Sequence, residues 1–302
     1  MRRLALTAIA VANVLGGLTY LGQDLALEGL PFATITLLRN LVALVLMAIW
    51  MGPRRITWRY PARDLGRLTL LGVLAYAAPL LLGTLGTRLS TAANGSILIL
   101  LEPCAILVFA RLLLGEHVRT GQAAGIACGL VGGLLIVLRD TPADGLLVQE
   151  HLLGNVLLAA HAMLWGLYSP LMKPLAERYR PMDVTFMSMV LAQVLLLPAA
   201  LVELPELAAG PALADLWPAL GWTLALGIGG SFAATVLWSW SLRHLQASSV
   251  ATFVFLQPLA GVLGDAVFRG GRVSSEALLG GACIGVGVLL VLLPGRRRAP
   301  AA

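Results

Sequence analysis

Residues 91–113 read TAANGSILILLEPCAILVFARLL, and 155 positions later residues 246–268 read QASSVATFVFLQPLAGVLGDAVF. The pair Glu102-Pro103 in the first stretch falls on Gln257-Pro258 in the second. The same shift aligns further pairs nearby: Leu71-Gly72 with Leu226-Gly227, Arg88 with Arg243, Ala92 with Ala247, Gly115 with Gly270, Gly125 with Gly280, Cys128 with Cys283, and Gly132 with Gly287. Agreement without gaps over three consecutive apolar segments indicates that the chain contains two copies of one unit.

Apolar segments of membrane-spanning length fill most of the chain. Only 12% of the 302 residues are charged, whereas a soluble globular domain carries about 25%. A helix needs ~20 apolar residues to cross ~30 Å of hydrocarbon, and the alternating pattern of barrel strands is absent, which favours helices. Ten segments come close to this length: 4–21, 32–50, 68–85, 91–113, 122–138, 152–172, 184–202, 220–242, 250–268 and 278–293.

Basic residues are concentrated in alternate connections between these segments. With the N terminus inside, the cytoplasmic connections and ends hold sixteen Lys and Arg residues and the other side holds four. By the positive-inside rule, this asymmetry predicts a multi-pass protein of the bacterial inner membrane with both termini in the cytoplasm. The first segment also resembles a cleavable signal peptide, but its long apolar run and its match to a later segment favour an uncleaved first span.

The two copies are predicted to lie in opposite orientations. A shift of 149 residues places Leu15-x-Gly17-Leu18 on Leu164-x-Gly166-Leu167, so that each copy holds five segments, in residues 1–139 and 140–302. An odd number of spans forces the second copy to enter the membrane from the other face. We therefore predict an all-α membrane protein with ten transmembrane helices as two inverted five-helix repeats, an arrangement common in secondary transporters.

Several short motifs resemble those of the EamA-type transporters of the drug/metabolite transporter superfamily. They are Leu101-Glu102-Pro103, Leu114-Gly115-Glu116-His117-Val118, Gly121-Gln122-Ala123-Ala124-Gly125-Ile126, Trp165-Gly166-Leu167-Tyr168 and Leu256-Gln257-Pro258-Leu259. The resemblance covers nearly the whole chain and implies a ten-helix fold, a central cavity and export of amino acids, nucleosides, drugs or other small metabolites. One position departs from the pattern, because Gly271 stands in the second copy where the first has Glu116. If Glu116 caps or pairs at the turn between segments four and five, the second copy lacks that interaction.

Glu102 is an ionisable residue about ten residues into the fourth segment, near the bilayer centre. A charge there costs on the order of 3 kcal/mol on insertion scales, so it is expected to face a cavity or a partner. We predict that Glu102 binds a proton or a substrate amine, with Gln257 hydrogen-bonding opposite it. The alternative is a protonated carboxyl that serves helix packing.

Pro103 and Pro258 lie at mid-membrane in equivalent positions of the two copies. Each removes one helix hydrogen bond, which is predicted to free the carbonyls of Ile99 and Val254. Freed carbonyls are tolerated where they line a cavity. We predict hinges at both prolines, and a simple packing kink is the alternative.

Polar and aromatic side chains at helical spacing predict the lining of a central pocket. Six segments contribute, and their residues are Asn13, Tyr20, Tyr76, Asn94, Leu98, Glu102, His161, Trp165, Tyr168, Ser231, Thr235, Trp238, Phe253 and Gln257. Apolar walls with a few convergent polar groups are typical of small-molecule sites. Plain helix packing explains such stripes equally well, and His161 also fits a hydrogen-bonded interior histidine. For Arg39, in the second segment, a structural role is favoured.

Glycines recur in segments five and ten, at Gly121, Gly125, Gly129 and Gly133 and at Gly281 and Gly285. Small residues at every fourth position let helices approach closely. These segments are predicted to pack against other helices, either within one protomer or across a homodimer. The three cysteines lie singly in apolar segments, which indicates neither a disulfide framework nor a metal site.

Taken together, these features predict a secondary transporter that exports small metabolites, such as amino acids or related amphipathic compounds, by alternating access. Its expected partners are a small-molecule substrate and the lipid bilayer, with proton coupling or exchange left open, and no cofactor, metal or nucleic acid is expected. Efflux of drugs or cationic compounds is the nearest alternative. An intramembrane enzyme or a channel or scaffold is less favoured, because the sequence has no HExxH motif, P-loop or charged ring.

Overall fold

The computed structural model describes residues 1–52, 59–90, 94–95, 98–137, 149–209, 216–270 and 275–292. Within these ranges, ten helices run across the molecule and every regular element is helical. They are α1 (Arg2–Leu27), α2 (Phe32–Met51), α3 (Ala62–Leu89), α4 (Leu101–Leu114), α5 (Thr120–Val137), α6 (Leu152–Arg178), α7 (Pro181–Val202), α8 (Trp217–Leu242), α9 (Ala247–Phe268) and α10 (Ser275–Leu292). Residues 94, 95 and 98 are also helical and lead towards α4.

The helices match a membrane by length, hydropathy and surface. Seven of those in the described ranges are long and apolar enough to cross a bilayer, and the other three, α4, α5 and α10, are shorter. Large apolar side chains such as Ile49, Val194 and Leu289 are more than 60% exposed, as lipid-facing residues are. Consecutive helices alternate in direction. We call the face at which α1 begins, marked by Arg2 and Arg111, the basic face, and the other the opposite face. The predicted all-α membrane fold is confirmed.

The inverted repeat is visible in the helix boundaries. Helix α4 and its equivalent, the α-helical stretch Leu256–Arg269 that overlaps all but the first turns of α9, differ by 155 positions at both ends, as do α5 and α10. Both equivalent segments end at a glycine with positive φ, 67° at Gly115 and 70° at Gly270, a conformation that suits a residue without Cβ. In α3 and α8, equivalent central turns widen to π-helix, at Leu70–Ala77 and Leu226–Ala234.

Glycines set the crossings between the two halves. A Cβ on Gly17 of α1 would collide with the carbonyl oxygen of Gln257 and lie 2.8 Å from Cβ of Ala260 in α9. The equivalent Gly166 of α6 lies against Ala105 of α4 in the same way. Each half therefore packs its first helix on the fourth helix of the other half, so the two halves share one core.

Helices α5 and α10 pack directly on each other. A Cβ on Gly125 would lie 2.7 Å from the carbonyl oxygen of Gly287, and one on Gly132 would lie 2.5 Å from that of Gly280. Because Gly125 aligns with Gly280 and Gly132 with Gly287, this crossing lies on the pseudo-twofold axis. Close approach within one protomer accounts for these glycines, and a homodimer through α5 or α10 stays a prediction.

The two prolines do not leave free carbonyls, which corrects the expectation for Ile99 and Val254. The Ile99 carbonyl accepts the backbone N–H of Glu102 at 2.9 Å, and Leu256 N–H donates to Val254. The chain tightens before each proline, as a turn at Ile99 and as a 3-10 helix over Thr252–Phe255. Shorter-range hydrogen bonds replace the missing ones. The hinge role of Pro103 and Pro258, both buried, stays a prediction.

Candidate functional site

A cavity with mainly apolar walls and a few polar groups lies at mid-depth between the two halves and extends towards the opposite face along α1, α3 and α6. The cavity has a volume of about 120 Å³. Seven helices line it, namely α1, α2, α3, α4, α6, α8 and α9, together with the segment leading into α4. Its walls are formed by Ala12, Gly16, Thr19, Tyr20, Gln23, Arg39, Tyr76, Leu80, Gly83, Gly95, Ile99, Glu102, Leu158, His161, Trp165, Tyr168, Gly230, Ser231, Ala234, Thr235, Trp238 and Gln257.

One wall of the cavity is aromatic. The ring of Trp165 packs edge-on against Tyr76 and Tyr168, with centroids 5.8 Å apart in both pairs, and against His161 at 6.3 Å. Edge-to-face geometry of this kind fixes the rings relative to one another. The faces of such rings attract cations and apolar groups alike. This wall therefore suits an organic substrate with a hydrophobic part.

Glu102 provides the only carboxylate among the described lining residues. Its side chain is 4% exposed, and in the described part of the chain it has neither a hydrogen bond nor an ion pair. It lies in the first turn of α4, where the positive end of the helix dipole favours a negative charge. A buried carboxylate without a partner is costly, so it is suited to bind a proton or a cation.

Arg39 of α2 provides a positive charge in the same cavity. Its Nε donates to Ser231 Oγ of α8 at 2.8 Å, and the side chain is 5% exposed. Two glycines of α8 make this arrangement possible. A Cβ on Gly227 would lie 2.6 Å from Cβ of Val42, and one on Gly230 would lie 2.8 Å from Nη2 of Arg39. The absence of these side chains brings α2 and α8 together and leaves room for the guanidinium.

His161 is held in the wall by a backbone contact. Its Nδ1 lies 2.6 Å from the carbonyl oxygen of Pro79, and its Nε2 has no hydrogen-bond partner. The ring occupies space that a side chain at Gly83 would fill. A hydrogen bond from Nδ1–H to Pro79 would leave Nε2 as an acceptor.

Hydrogen bonds tie α6, α7 and α8 together between the cavity and the basic face. The hydroxyl of Tyr168 lies 3.1 Å from Ser239 Oγ, which also accepts a bond from Thr185 at 2.8 Å. Beside them, Trp238 Nε1 donates to Ser169 Oγ at 3.0 Å. All three hydroxyl groups beneath the aromatic rings belong to fully buried residues. This layer closes the basic end of the cavity.

A second, larger depression lies on the opposite face. It has a volume of about 470 Å³ and is formed by the end of α1, the end of α3 and the chain after α7, including Asp24, Arg88 and Glu206. Gln23 lines the cavity and Asp24 lines this depression, so the two spaces are adjacent along α1. We call the depression the vestibule.

The structure brings ten of the predicted pocket residues into the cavity wall. They are Tyr20, Tyr76, Glu102, His161, Trp165, Tyr168, Ser231, Thr235, Trp238 and Gln257. All the residues predicted on α6 and α8 are part of the wall. For Gln257, the side-chain amide N–H donates to Asn13 Oδ1 at 3.1 Å, which leaves its carbonyl oxygen for the cavity.

Four predicted residues lie outside the wall, and their assignment to it is corrected. Asn13 lies behind Gln257 and donates to the Ile9 carbonyl at 2.8 Å. Asn94 donates to Ser90 Oγ at 3.0 Å in a polar cluster near the opposite face. Leu98 is partly buried and is not among the lining residues, while Phe253 is fully packed in the apolar core. On α1 and on the segment leading into α4, the neighbouring positions Ala12, Gly95 and Ile99 line the wall instead.

Sequence reasoning missed several wall residues, of which Arg39 matters most. A charged residue two turns into a membrane helix indicates a functional site, but the sequence alone favours a structural role for Arg39. Gln23 and Thr19 of α1 were also missed, although they follow Gly16 at helical spacing. Small residues such as Gly83 and Gly230 carry no signal that distinguishes a cavity wall from helix packing.

Two glutamates cap helices of the opposite half. At the basic face, the Glu116 carboxylate accepts the backbone N–H groups of Ala247 and Ser248 at 3.1 and 3.0 Å, at the start of α9. At the opposite face, Glu203 accepts those of Ala33 and Thr34 at 3.0 and 2.7 Å, at the start of α2. The pairing role that the sequence suggested for Glu116 is thus observed, while Gly271 lies outside the described residues.

The fold and site define a class of membrane protein, one built from inverted repeats around a central cavity with a few polar groups, as carriers are. The profile of the EamA-like transporter family matches residues 3–138 and 152–293, so the chain belongs to that family. The two matches cover both halves, although the boundaries predicted at 1–139 and 140–302 stay a prediction.

Individual relatives agree with this assignment. The chain is 30% identical over 274 residues to a probable terminal-alkyne amino-acid exporter of Streptantibioticus cattleyicolor, covering 90% of this chain and 88% of that protein. It is 22% identical to an uncharacterized transporter of Archaeoglobus fulgidus, covering 94% and 97%. A crystal structure with 21% sequence identity superimposes with a TM-score of 0.80 over 97% of this chain and 98% of that one, which supports the fold.

Proposed function

We propose that this transporter exports small amino-acid-like metabolites, and that the central cavity is its substrate site. The observation that carries the proposal is Glu102, a carboxylate that lines the cavity, is 4% exposed and has no partner among the residues that the structure describes. An ammonium group of the substrate would supply the missing partner. The aromatic wall around Trp165 would contact the apolar part of the substrate.

Two further observations support this substrate class. The relative in Streptantibioticus cattleyicolor is named as a probable exporter of an amino acid, and it aligns over 90% of this chain. The cavity also combines rings with single polar groups, which suits a compact amphipathic molecule better than a large ligand.

Alternating access of the two halves is the mechanism that we infer. The capping contacts of Glu116 and Glu203 join the halves at the two faces, and α9 contains a 3-10 stretch over Thr252–Phe255 just before Pro258. In the present conformation the hydroxyl layer at Tyr168 separates the cavity from the basic face, while the vestibule adjoins it on the other side. Rocking of the halves would exchange these two arrangements.

The basic face is proposed to be the cytoplasmic face. Arg2, Arg63, Arg111, Arg178 and Arg243 all lie at this end of the helices, as the positive-inside rule requires of a cytoplasmic face. Export would then begin at the basic face and end in the vestibule. Glu102 would carry either a proton or the substrate ammonium, which allows proton exchange.

A second candidate is efflux of cationic drugs. The aromatic wall favours it, because stacked rings bind organic cations through cation–π contacts. Arg39 opposes it, because a buried guanidinium repels a ligand that has only positive charge.

Transport by the purified protein in proteoliposomes tests the proposal. Vesicles loaded with amino acids, nucleosides or cationic drugs are diluted into buffer with and without a pH gradient, and efflux is measured. We expect saturable efflux of amino acids that responds to the gradient. Absence of protein-dependent efflux across the panel would contradict transport by this chain, and efflux of drugs alone would favour the second candidate.

A further inference from the structure

Two opposite charges line the cavity without pairing with each other. Arg39 and Glu102 are 5% and 4% exposed, yet the ion pairs among the described residues do not include one between them. Tyr20 lines the same cavity. The two charges therefore stand at separate points of one small cavity.

The guanidinium of Arg39 makes few hydrogen bonds to the described part of the protein. Its single hydrogen bond in the described structure runs from Nε to Ser231 Oγ at 2.8 Å. Among the described residues, neither terminal nitrogen has an acceptor, and the missing side chain at Gly230 leaves Nη2 room. The hydrogen bond to Ser231 thereby fixes the orientation of the planar guanidinium, and the terminal N–H groups of Arg39 are left for a ligand.

The free N–H groups of the Arg39 guanidinium are suited to bind an anionic group of a ligand. A guanidinium fork binds carboxylates through two parallel hydrogen bonds, a geometry that an ammonium group cannot provide. Glu102 is a buried carboxylate, so the ligand group that pairs with it is a cation. A molecule that satisfies both at once has a carboxylate and an ammonium a short distance apart.

Only one half of the repeat carries the positive charge. The 149-residue shift places Arg39 on Ser188 of α7, which is fully buried and donates to the Thr185 carbonyl at 2.9 Å. The backbone is equivalent at these positions, because Gly227 approaches the carbonyl of Arg39 as Gly72 approaches that of Ser188. The charge is therefore not needed for the helix crossing itself.

We propose that Arg39 binds the substrate carboxylate while Glu102 binds the substrate ammonium, so that the cavity selects zwitterionic amino acids over amines. This rests on the proposed function and adds to it a determinant of specificity. Ser231 acts as a positioning residue for the guanidinium.

Matched ligand pairs test the proposal. Each amino acid of a panel is compared with the primary amine that lacks only the carboxylate, by transport in proteoliposomes and by thermal stabilisation of the purified protein. For the wild type, we expect the amino acid to bind about ten-fold or more tightly than the amine. Arg39→Gln should lose this difference, with weaker binding of the amino acid and unchanged or stronger binding of the amine.

Two further variants separate recognition from folding. Arg39→Lys keeps a cation and should retain part of the preference. If this variant still binds amino acids, a low signal in Arg39→Gln reflects the lost charge and not misfolding. Arg111→Gln, an exposed change at the basic face, serves as the matched control. Equal binding of amine and amino acid by the wild type would overturn the proposal, as would an equal loss of both ligands in folded Arg39→Gln. If amines alone are carried, transport stands but this inference fails, and if nothing is carried, the proposed function fails with it.

Discussion

The carboxylate of Glu116 caps the start of α9 at Ser248, accepting its backbone N–H at 3.0 Å and its hydroxyl at 2.7 Å. Glu116 belongs to the turn between α4 and α5 in the first half, and Ser248 belongs to the second half. Gln122 adds a hydrogen bond to the same hydroxyl at 3.0 Å. A single acidic side chain thus links the halves at the basic face.

Replacing Glu116 with Gln is expected to destabilise this link. An amide has one acceptor oxygen and no charge, whereas the carboxylate accepts three hydrogen bonds at a helix N terminus. Loss of such a cap costs about 0.5–2 kcal/mol, so thermal unfolding in detergent should shift to lower temperature. Glu206→Gln is the matched control, because its ion pair with Arg88 is half exposed and worth little. Equal unfolding temperatures for Glu116→Gln and wild type would contradict the capping role.

Glu102→Gln is expected to abolish the pH dependence of transport while the protein remains folded. The amide mimics the protonated carboxyl permanently, so the transport that remains without a carboxylate for the substrate ammonium should be constant between about pH 5 and pH 9. The neighbouring titratable and charged groups, Tyr20, Arg39 and His161, are unchanged in this variant. The control is Glu177→Gln, at an exposed position on the basic side of α6. A pH profile in Glu102→Gln that matches the wild type would exclude a proton role for this residue.

Gly17→Ala is expected to destabilise the protein by about 1–3 kcal/mol, the usual cost of overpacking. The added methyl would meet the backbone oxygen of Gln257, which cannot move aside as a flexible side chain can. Gly229→Ala is the matched control, because no atom lies within 4 Å of its added methyl. Thermal unfolding of the three proteins measures the difference. The crossing would not require glycine if both substitutions had the same effect.

Cysteine labelling checks the orientation of the chain. In a background without Cys104, Cys128 and Cys283, a cysteine replacing Arg111 should react with a membrane-impermeant reagent only in inverted membranes. A cysteine replacing Arg88, which is 46% exposed on the opposite face, should react in intact cells. The reverse pattern would place the basic face outside and overturn the proposed direction of transport.

Much of the fold could be predicted because its signals are local or repeated. Hydropathy located the ten helices, and the shift of 155 residues predicted the boundaries that α4 and α5 share with their counterparts in the second half. The glycines of α1 and α6 were found as a repeated motif, Gly17 and Gly166, before the crossings that they permit were visible. Each of these features depends on residues that are close in sequence or copied at a fixed distance.

The composition of the cavity wall could be predicted only in part, because a helix has 3.6 residues per turn. The residues three and four positions before Glu102, Ile99 and Leu98, lie almost equally close to its face, and the rotation of the helix selects Ile99. The same ambiguity led to Asn13 being chosen on α1 where Ala12 and Gly16 line the wall. Rotation is set by the packing of neighbouring helices, which leaves no trace in the spacing.

Hydropathy and internal repetition were therefore sufficient to predict an inverted ten-helix membrane protein with a carboxylate at its centre. The placement of Arg39, Glu102, Tyr20 and Ser231 around one cavity depended on tertiary structure, because these side chains come from four different helices. Their approach is controlled by close contacts at glycines such as Gly227 and Gly230, and a glycine in a membrane helix looks the same whether it faces lipid, another helix or a cavity.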